Sequence, residues 1–282
     1  MPRDLILDRL FHHAATRPRD PALSALGPDE RWRTLDYAAV ERRVRAFAAA
    51  CVAAEMPPGG VVALLADNHP DWVLGALGAQ AAGGVAAGIY QNASIEQVEY
   101  ILRHSEAHLI AVDSDAQWQK VRARLDHLPA LRRVVFISGA ATPDHPLCQT
   151  LEAFLAAGAS SESAALARAA AIQGRDLASL IYTSGTTGTP KGVMLTHDNL
   201  AWTSRQAASM IKGITHHERI VSYLPLAHIA EQMFTIHGAI TTGYTVYFAE
   251  ALDKVPDNLK EVEPTLFFGV PRIWEKFHSG IA

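Results

Sequence analysis

The chain has 282 residues, 49% of them hydrophobic and 19% charged, with a formal net charge of -4. That length allows one large domain or two smaller ones, and the mild acidity excludes electrostatic binding to nucleic acid. Cys51 and Cys148 stand far apart without metal-ligand spacing, which excludes a disulfide framework or zinc site and points to a reducing, cytoplasmic compartment.

The N-terminal stretch Met1–Asp8 mixes acids into its apolar residues, so no signal-peptide core is present. No stretch approaches the roughly 20 apolar residues needed to cross a bilayer, so any membrane contact is expected to be peripheral. Residues 5–16 read as a short helix ended by Arg17-Pro18. A longer helix over about 35–55, capped by Thr34, carries Val40, Val44, Phe47 and Cys51 at helical spacing. Strand and helix then alternate. Strands are expected at Val61–Ala66, 85–89, Leu109–Val112 and Arg133–Ile137. Helices are expected at about 70–82, from the capping box Ser94-Ile95-Glu96-Gln97, and at 115–127. Such alternation implies a parallel sheet with helices on its faces.

Residues 138–175 break the rhythm with a turn region and Ala-rich helical stretches and read as connecting or capping structure, dividing the chain into an α/β unit at 1–175 and a second at 176–282. After a strand at Ala178–Thr183 the alternation resumes. It gives helices at about 198–211, 229–241, 254–262 and from 271, with strands at 219–224, 245–248 and 265–268.

The stretch Tyr182-Thr183-Ser184-Gly185-Thr186-Thr187-Gly188-Thr189-Pro190-Lys191-Gly192-Val193 suits a polyphosphate. Gly185, Gly188 and Gly192 let the backbone approach phosphate oxygens. Successive amides in such a turn form an anion-binding concavity. Thr183, Ser184, Thr186 and Thr187 add hydroxyls, one of which, with Thr183 the candidate, would ligate magnesium. Lys191 adds a positive charge on a flexible stem. The Walker pattern is absent, because Pro190 precedes Lys191 and Gly192 follows it.

This stretch resembles the phosphate loop of the adenylate-forming superfamily, which includes acyl-CoA synthetases, firefly-luciferase-like enzymes and peptide-synthetase adenylation domains. Thr196-His197 also fits that pattern. The resemblance covers essentially the whole chain. It implies the N-terminal portion of a fold with two mainly parallel sheets flanked by helices. It also implies ATP, magnesium and CoA as cofactors. The stretch Tyr223-Leu224-Pro225-Leu226-Ala227-His228-Ile229-Ala230-Glu231-Gln232 is similar to the segment lining the acyl-adenylate site, with His228 where the superfamily places a His or aromatic residue beside the substrate carboxylate. Gln232 stands where some long-chain synthetases carry a Trp gate. Phe267-Phe268-Gly269-Val270-Pro271-Arg272-Ile273-Trp274-Glu275-Lys276 is similar to a stretch of long-chain acyl-CoA synthetases, especially the bubblegum-type group.

The resemblance therefore implies activation of a long-chain fatty acid to acyl-adenylate and its transfer to CoA. Two alternatives are a fatty acyl-AMP ligase that loads a carrier protein and a non-catalytic nucleotide-binding module. The resemblance ends at Ala282 in mid-domain. The superfamily's Tyr-Gly-x-Thr-Glu motif, ribose-binding Asp and C-terminal catalytic Lys are then expected to be absent, and the chain by itself inactive.

Overall fold

Strand formation begins earlier than the hydrophobic pattern suggests. The computed structural model describes residues 3–183, 190–271 and 273–275. Helix α1 (Ile6–Thr16) leads into β1 (Pro21–Leu26) and β2 (Trp32–Asp36), an antiparallel pair that the sequence pattern does not show. Thr34 is a strand residue in register with Ser24, so the cap of α2 (Tyr37–Ala53) falls to Asp36, whose carboxylate accepts the Ala39 amide at 2.7 Å. Val40, Val44, Phe47 and Cys51 are buried on α2 as their spacing predicts.

The alternation that follows is β3 (Val61–Leu65), α3 (Pro70–Ala81), β4 (Val85–Ile89), α4 (Ile95–His104), β5 (Ala107–Val112), α5 (Asp115–Arg122) and β6 (Arg133–Phe136). The Ser94–Gln97 capping box forms with both of its hydrogen bonds. α5 stops short of 127, where a 3-10 turn takes over at Leu125–His127. Residues 138–175 hold the expected helical stretches and add a short strand. They supply β7 (Cys148–Thr150), α6 (Leu151–Ala157) and α7 (Glu162–Ala171).

Then come β8 (Leu177–Thr183), β9 (Lys191–Thr196), α8 (His197–Met210) and β10 (Arg219–Ser222). α9 (Ile229–Gln232) runs through a π turn at Met233–Gly238 into α10 (Ala239–Thr242), so the helix expected over 229–241 is present but locally widened. β11 (Thr245–Phe248) and α11 (Val255–Val262) follow, and residues 271 and 273–275 are helical, where a helix is expected from 271. No strand forms at 265–268. Thr265 and Leu266 donate their amides to the Arg219 carbonyl, at 3.0 and 3.3 Å, and Thr265 Oγ1 accepts the Arg219 amide at 2.9 Å.

The strands form two sheets, ordered β7-β6-β5-β3-β4-β8-β9 and β10-β11-β1-β2. Pairing is parallel except for β8 with β9 and β1 with β2, so both sheets are mainly parallel, as expected. Each sheet draws strands from both sides of residue 175. The central strands of the larger sheet, β3, β4 and β5, are buried on both faces. On one face Val62 and Leu64 join a core shared with α1–α3 and with Leu23, Val246 and Phe248 of the smaller sheet. On the other, Ala63, Leu65, Ile110 and Val112 pack under Val98 and Ile101 of α4 and Trp118 and Val121 of α5. Alternate residues of β3 thus serve different cores, which requires a continuous apolar run.

Candidate active site

β8 and β9 form a hairpin with Thr183 opposite Lys191 as its last pair before the tip. Both residues are exposed. The ladder therefore places a hydroxyl and an ammonium side by side at the base of the glycine-rich segment. The other expected phosphate contacts, Ser184, Gly185, Thr186, Thr187 and Gly188, lie outside the described residues. Thr196, part of the same pattern, caps α8 in a box with Asn199.

His228 terminates the loop that follows β10 and is the N-cap of α9. Its backbone N–H donates to the Pro225 carbonyl at 2.8 Å, and its Nδ1 accepts the Ala230 amide at 3.1 Å. A neutral ring that accepts at Nδ1 carries its proton on Nε2. The side chain is exposed, so it presents an N–H donor at the start of the helix.

The two candidate regions are brought together through β4. A Cβ added to Gly88 would lie 2.8 Å from the Ala227 Cα, so the His228 loop rests directly on the β4 backbone. Gly88 is in register with Ile181 of β8, two residues before Thr183. Glycine is required here by close approach rather than by backbone angle. The Asp67-Asn68-His69-Pro70 turn, which reads as a helix start, does serve as one: His69 caps α3, accepting the Asp71 amide at 3.1 Å. Asn68 does something else. Its Nδ2 donates to Ser222 Oγ at 2.9 Å and to the Leu224 carbonyl at 2.7 Å, and its Oδ1 accepts the Leu226 amide at 3.0 Å.

Glu231, one turn into α9, is 3% exposed. Its Oε1 accepts hydroxyls from Ser222 at 2.6 Å and Thr235 at 2.7 Å. Burial pushes this carboxyl up to about 6, against the opposing pull of the two hydroxyls. Gln232 is also buried, and its Nε2 donates to the Leu226 carbonyl at 2.8 Å. Phe267 stacks on Tyr223 at 5.5 Å and Phe268 on Phe234 at 4.3 Å, so the aromatic pair of the expected strand instead covers the His228 loop and the π turn. Arg272 and Lys276 of that stretch lie outside the described residues.

A cleft of about 400 Å³ opens at the carboxyl ends of β3 and β5, lined by Asp67, Asn68, Asp113 and Ser114 and by Phe248 of the smaller sheet. Burial, then the neighbouring Asp113, raises the Asp67 carboxyl above its usual range. Among the described residues no group of three or more His, Cys, Asp or Glu could hold a metal. Cys51 and Cys148 are both free. No helix among the described residues is long and apolar enough to cross a membrane.

Asn68, Gly88 and Glu231 were not identifiable from the sequence, because each acts through partners distant in the chain or on another element. Glu231 carried one weak signal, an acidic residue inside an otherwise apolar stretch.

The chain is similar to the long-chain-fatty-acid--CoA ligase ACSBG1 of Bos taurus, 38% identical over 268 residues, which cover 92% of this chain and 37% of that protein. With ACSBG2 of Xenopus laevis the identity is 34% over 285 residues, covering 97% and 38%. The chain thus spans about two fifths of the length of these curated relatives. The fold is shared with the anthranilate CoA ligase AuaEII (TM-score 0.78, 21% identity, 94% of this chain and 48% of that one). It is shared also with a Mycobacterium tuberculosis fatty acyl CoA synthetase (TM-score 0.75, 23% identity, 96% and 50%). Residues 10–280 match the AMP-binding enzyme family model, and the chain belongs to that family.

Proposed function

We propose that the protein activates a long-chain fatty acid with ATP, giving acyl-adenylate and pyrophosphate, and that the acyl group then passes to CoA. The observation that carries this reading is the likeness to long-chain-fatty-acid--CoA ligases along nearly the whole chain. The geometry supplies the physical logic. A carboxylate is a poor electrophile, and attaching AMP gives it a leaving group. Lys191, at the base of the hairpin, would neutralise charge on the departing pyrophosphate. The sequence pattern gives the same task to the amides and hydroxyls of Ser184, Gly185, Thr186, Thr187 and Gly188. His228, through Nε2–H, would hold the substrate carboxylate.

Magnesium fits as an ion held mainly by ATP oxygens and water. Thr183 adds one exposed hydroxyl, and the described residues offer no carboxylate cage. When bound, the ion would reduce the negative charge on the phosphates. The free cysteines fit a reducing, cytoplasmic setting.

The test is ATP–pyrophosphate exchange with palmitate, measured on the longest reading frame that contains this sequence. Palmitate-dependent exchange is expected, followed by palmitoyl-CoA when CoA is added. Each buried CH₂ contributes up to about 0.8 kcal/mol, so palmitate should exceed butyrate or acetate steeply. Exchange driven by a short or aromatic acid in preference to palmitate would overturn the substrate class. Transfer to a carrier-protein thiol but not to CoA would overturn the acceptor.

A further inference from the structure

The loop that carries His228 has little regular structure of its own, yet it is gripped from three sides. Asn68, at the end of β3 in the larger sheet, holds the Leu224 carbonyl and the Leu226 amide. Gln232 holds the Leu226 carbonyl from α9. Ser222, the last residue of β10, links these contacts to a buried acid: its hydroxyl accepts from Asn68 and donates to Glu231. Glu231 also takes the Thr235 hydroxyl, and the amides of Tyr223 and Leu224 face it. The chain Asn68–Ser222–Glu231–Thr235 thus runs from beside the larger sheet, through the last residue of β10, to the helix that His228 caps.

Such a chain is an unusual use of a buried carboxyl. A Glu that is 3% exposed carries a desolvation penalty that an apolar residue would avoid. Its surroundings consist of donors: two hydroxyls, with two amides facing it. An acceptor with several lone pairs can satisfy them together, which no apolar or purely donating side chain can do. The loop it anchors ends at His228, whose ring position is set by the same helix start.

We propose that Asn68, Ser222 and Glu231 are positioning residues. They form an inter-sheet brace that fixes the loop from Tyr223 to His228, and through it the imidazole, relative to the β8–β9 hairpin. Their catalytic consequence rests on the acyl-activation reading above; the brace itself does not.

Two measurements separate these. The first is amide hydrogen exchange on residues 1–282. In Asn68→Ala and Glu231→Ala, the amides of Leu226 and Ala230, which donate to Asn68 and His228, are expected to exchange at least about ten-fold faster, while Ala87 in β4 is unchanged. Unchanged exchange at Leu226 and Ala230 would overturn the brace. Asn68 is only half-buried, so its variant remains informative if Glu231→Ala unfolds.

The second is steady-state kinetics on the longest reading frame. Both alanine variants are expected to lower kcat by about a hundred-fold, the scale of a 1 Å misplacement, with KM for ATP nearly unchanged. Glu231→Gln keeps an oxygen for both hydroxyls and is expected to lie within about ten-fold of the unsubstituted protein. An equal rise in KM for ATP, or a Gln variant no better than Ala, would overturn the positioning role. If the unsubstituted protein shows no palmitate-dependent exchange while the loop amides respond as expected, the acyl-activation reading falls and the brace stands.

Discussion

Lys191 and Glu231 are two charged residues in opposite surroundings, one exposed at the start of a strand, the other closed inside the fold. Lys191→Ala removes a charge-assisted phosphate contact. Pyrophosphate exchange should fall roughly ten- to a hundred-fold, on the order of 1.5–3 kcal/mol; exchange that is unaltered would remove the hairpin from the mechanism. For Glu231 the sign follows from burial. Its carboxyl sits near 6 in the fold, above the ordinary 4.5, so the folded state holds the proton more tightly. The stability tied to this group is greatest below 4.5 and declines as the pH rises through 6. Glu231→Gln cannot titrate. Its stability relative to the parent should therefore improve by about 2 kcal/mol between pH 4 and 7, as read by denaturant unfolding. The loop residues and His228 stand out as candidates in the sequence because each lies in a contiguous motif stretch. Glu231 lies within such a stretch and shows only the weak signal of an acid among apolar residues, since its partner Ser222 precedes it by nine residues on a different element.

Among the elements, the helices were the most legible, because one apolar stripe and one cap suffice to define them. Asp36 shows how narrowly a cap can be missed: β2 carries the chain through Thr34, and the cap stands two residues later than expected, at Asp36. Asp36→Ala should lower stability by about 1 kcal/mol through loss of the Ala39 amide contact, whereas an unchanged midpoint in urea would show that α2 is held by packing alone. β1 and β2 escaped notice because they are short, because β2 alternates weakly, and because the parallel partner of β1 is β11. The reverse error occurred at 265–268. Leu266-Phe267-Phe268 has strand composition, but its rings are used to stack on Tyr223 and Phe234, and only two amides reach β10. A widened turn such as Met233–Gly238 leaves no mark in hydrophobic spacing.

For the whole molecule, the alternating pattern announced parallel sheets, while the way their strands interleave was hidden in pairings between distant residues. The contact of Gly88 with Ala227 is where the seven-stranded sheet meets the loop leaving the smaller one. Gly88→Ala would press a methyl group to within 2.8 Å of the Ala227 Cα, so the loop must shift. We expect a loss of about 1–3 kcal/mol in stability, with a fall in exchange activity at temperatures where the variant remains folded; full activity there would mean that the loop tolerates displacement. The smaller sheet also bears on how the chain is made. Leu23 of β1 pairs with Val246 of β11. At about 5–20 residues per second, β1 and β2 leave the ribosome roughly ten to forty seconds before the strand they lean on has been synthesised. A lone two-stranded hairpin is marginal in water. The first hairpin to emerge is therefore among the last parts to become secure, and until then its apolar Ala22, Leu23 and Ala25 are surfaces that a nascent-chain chaperone would meet.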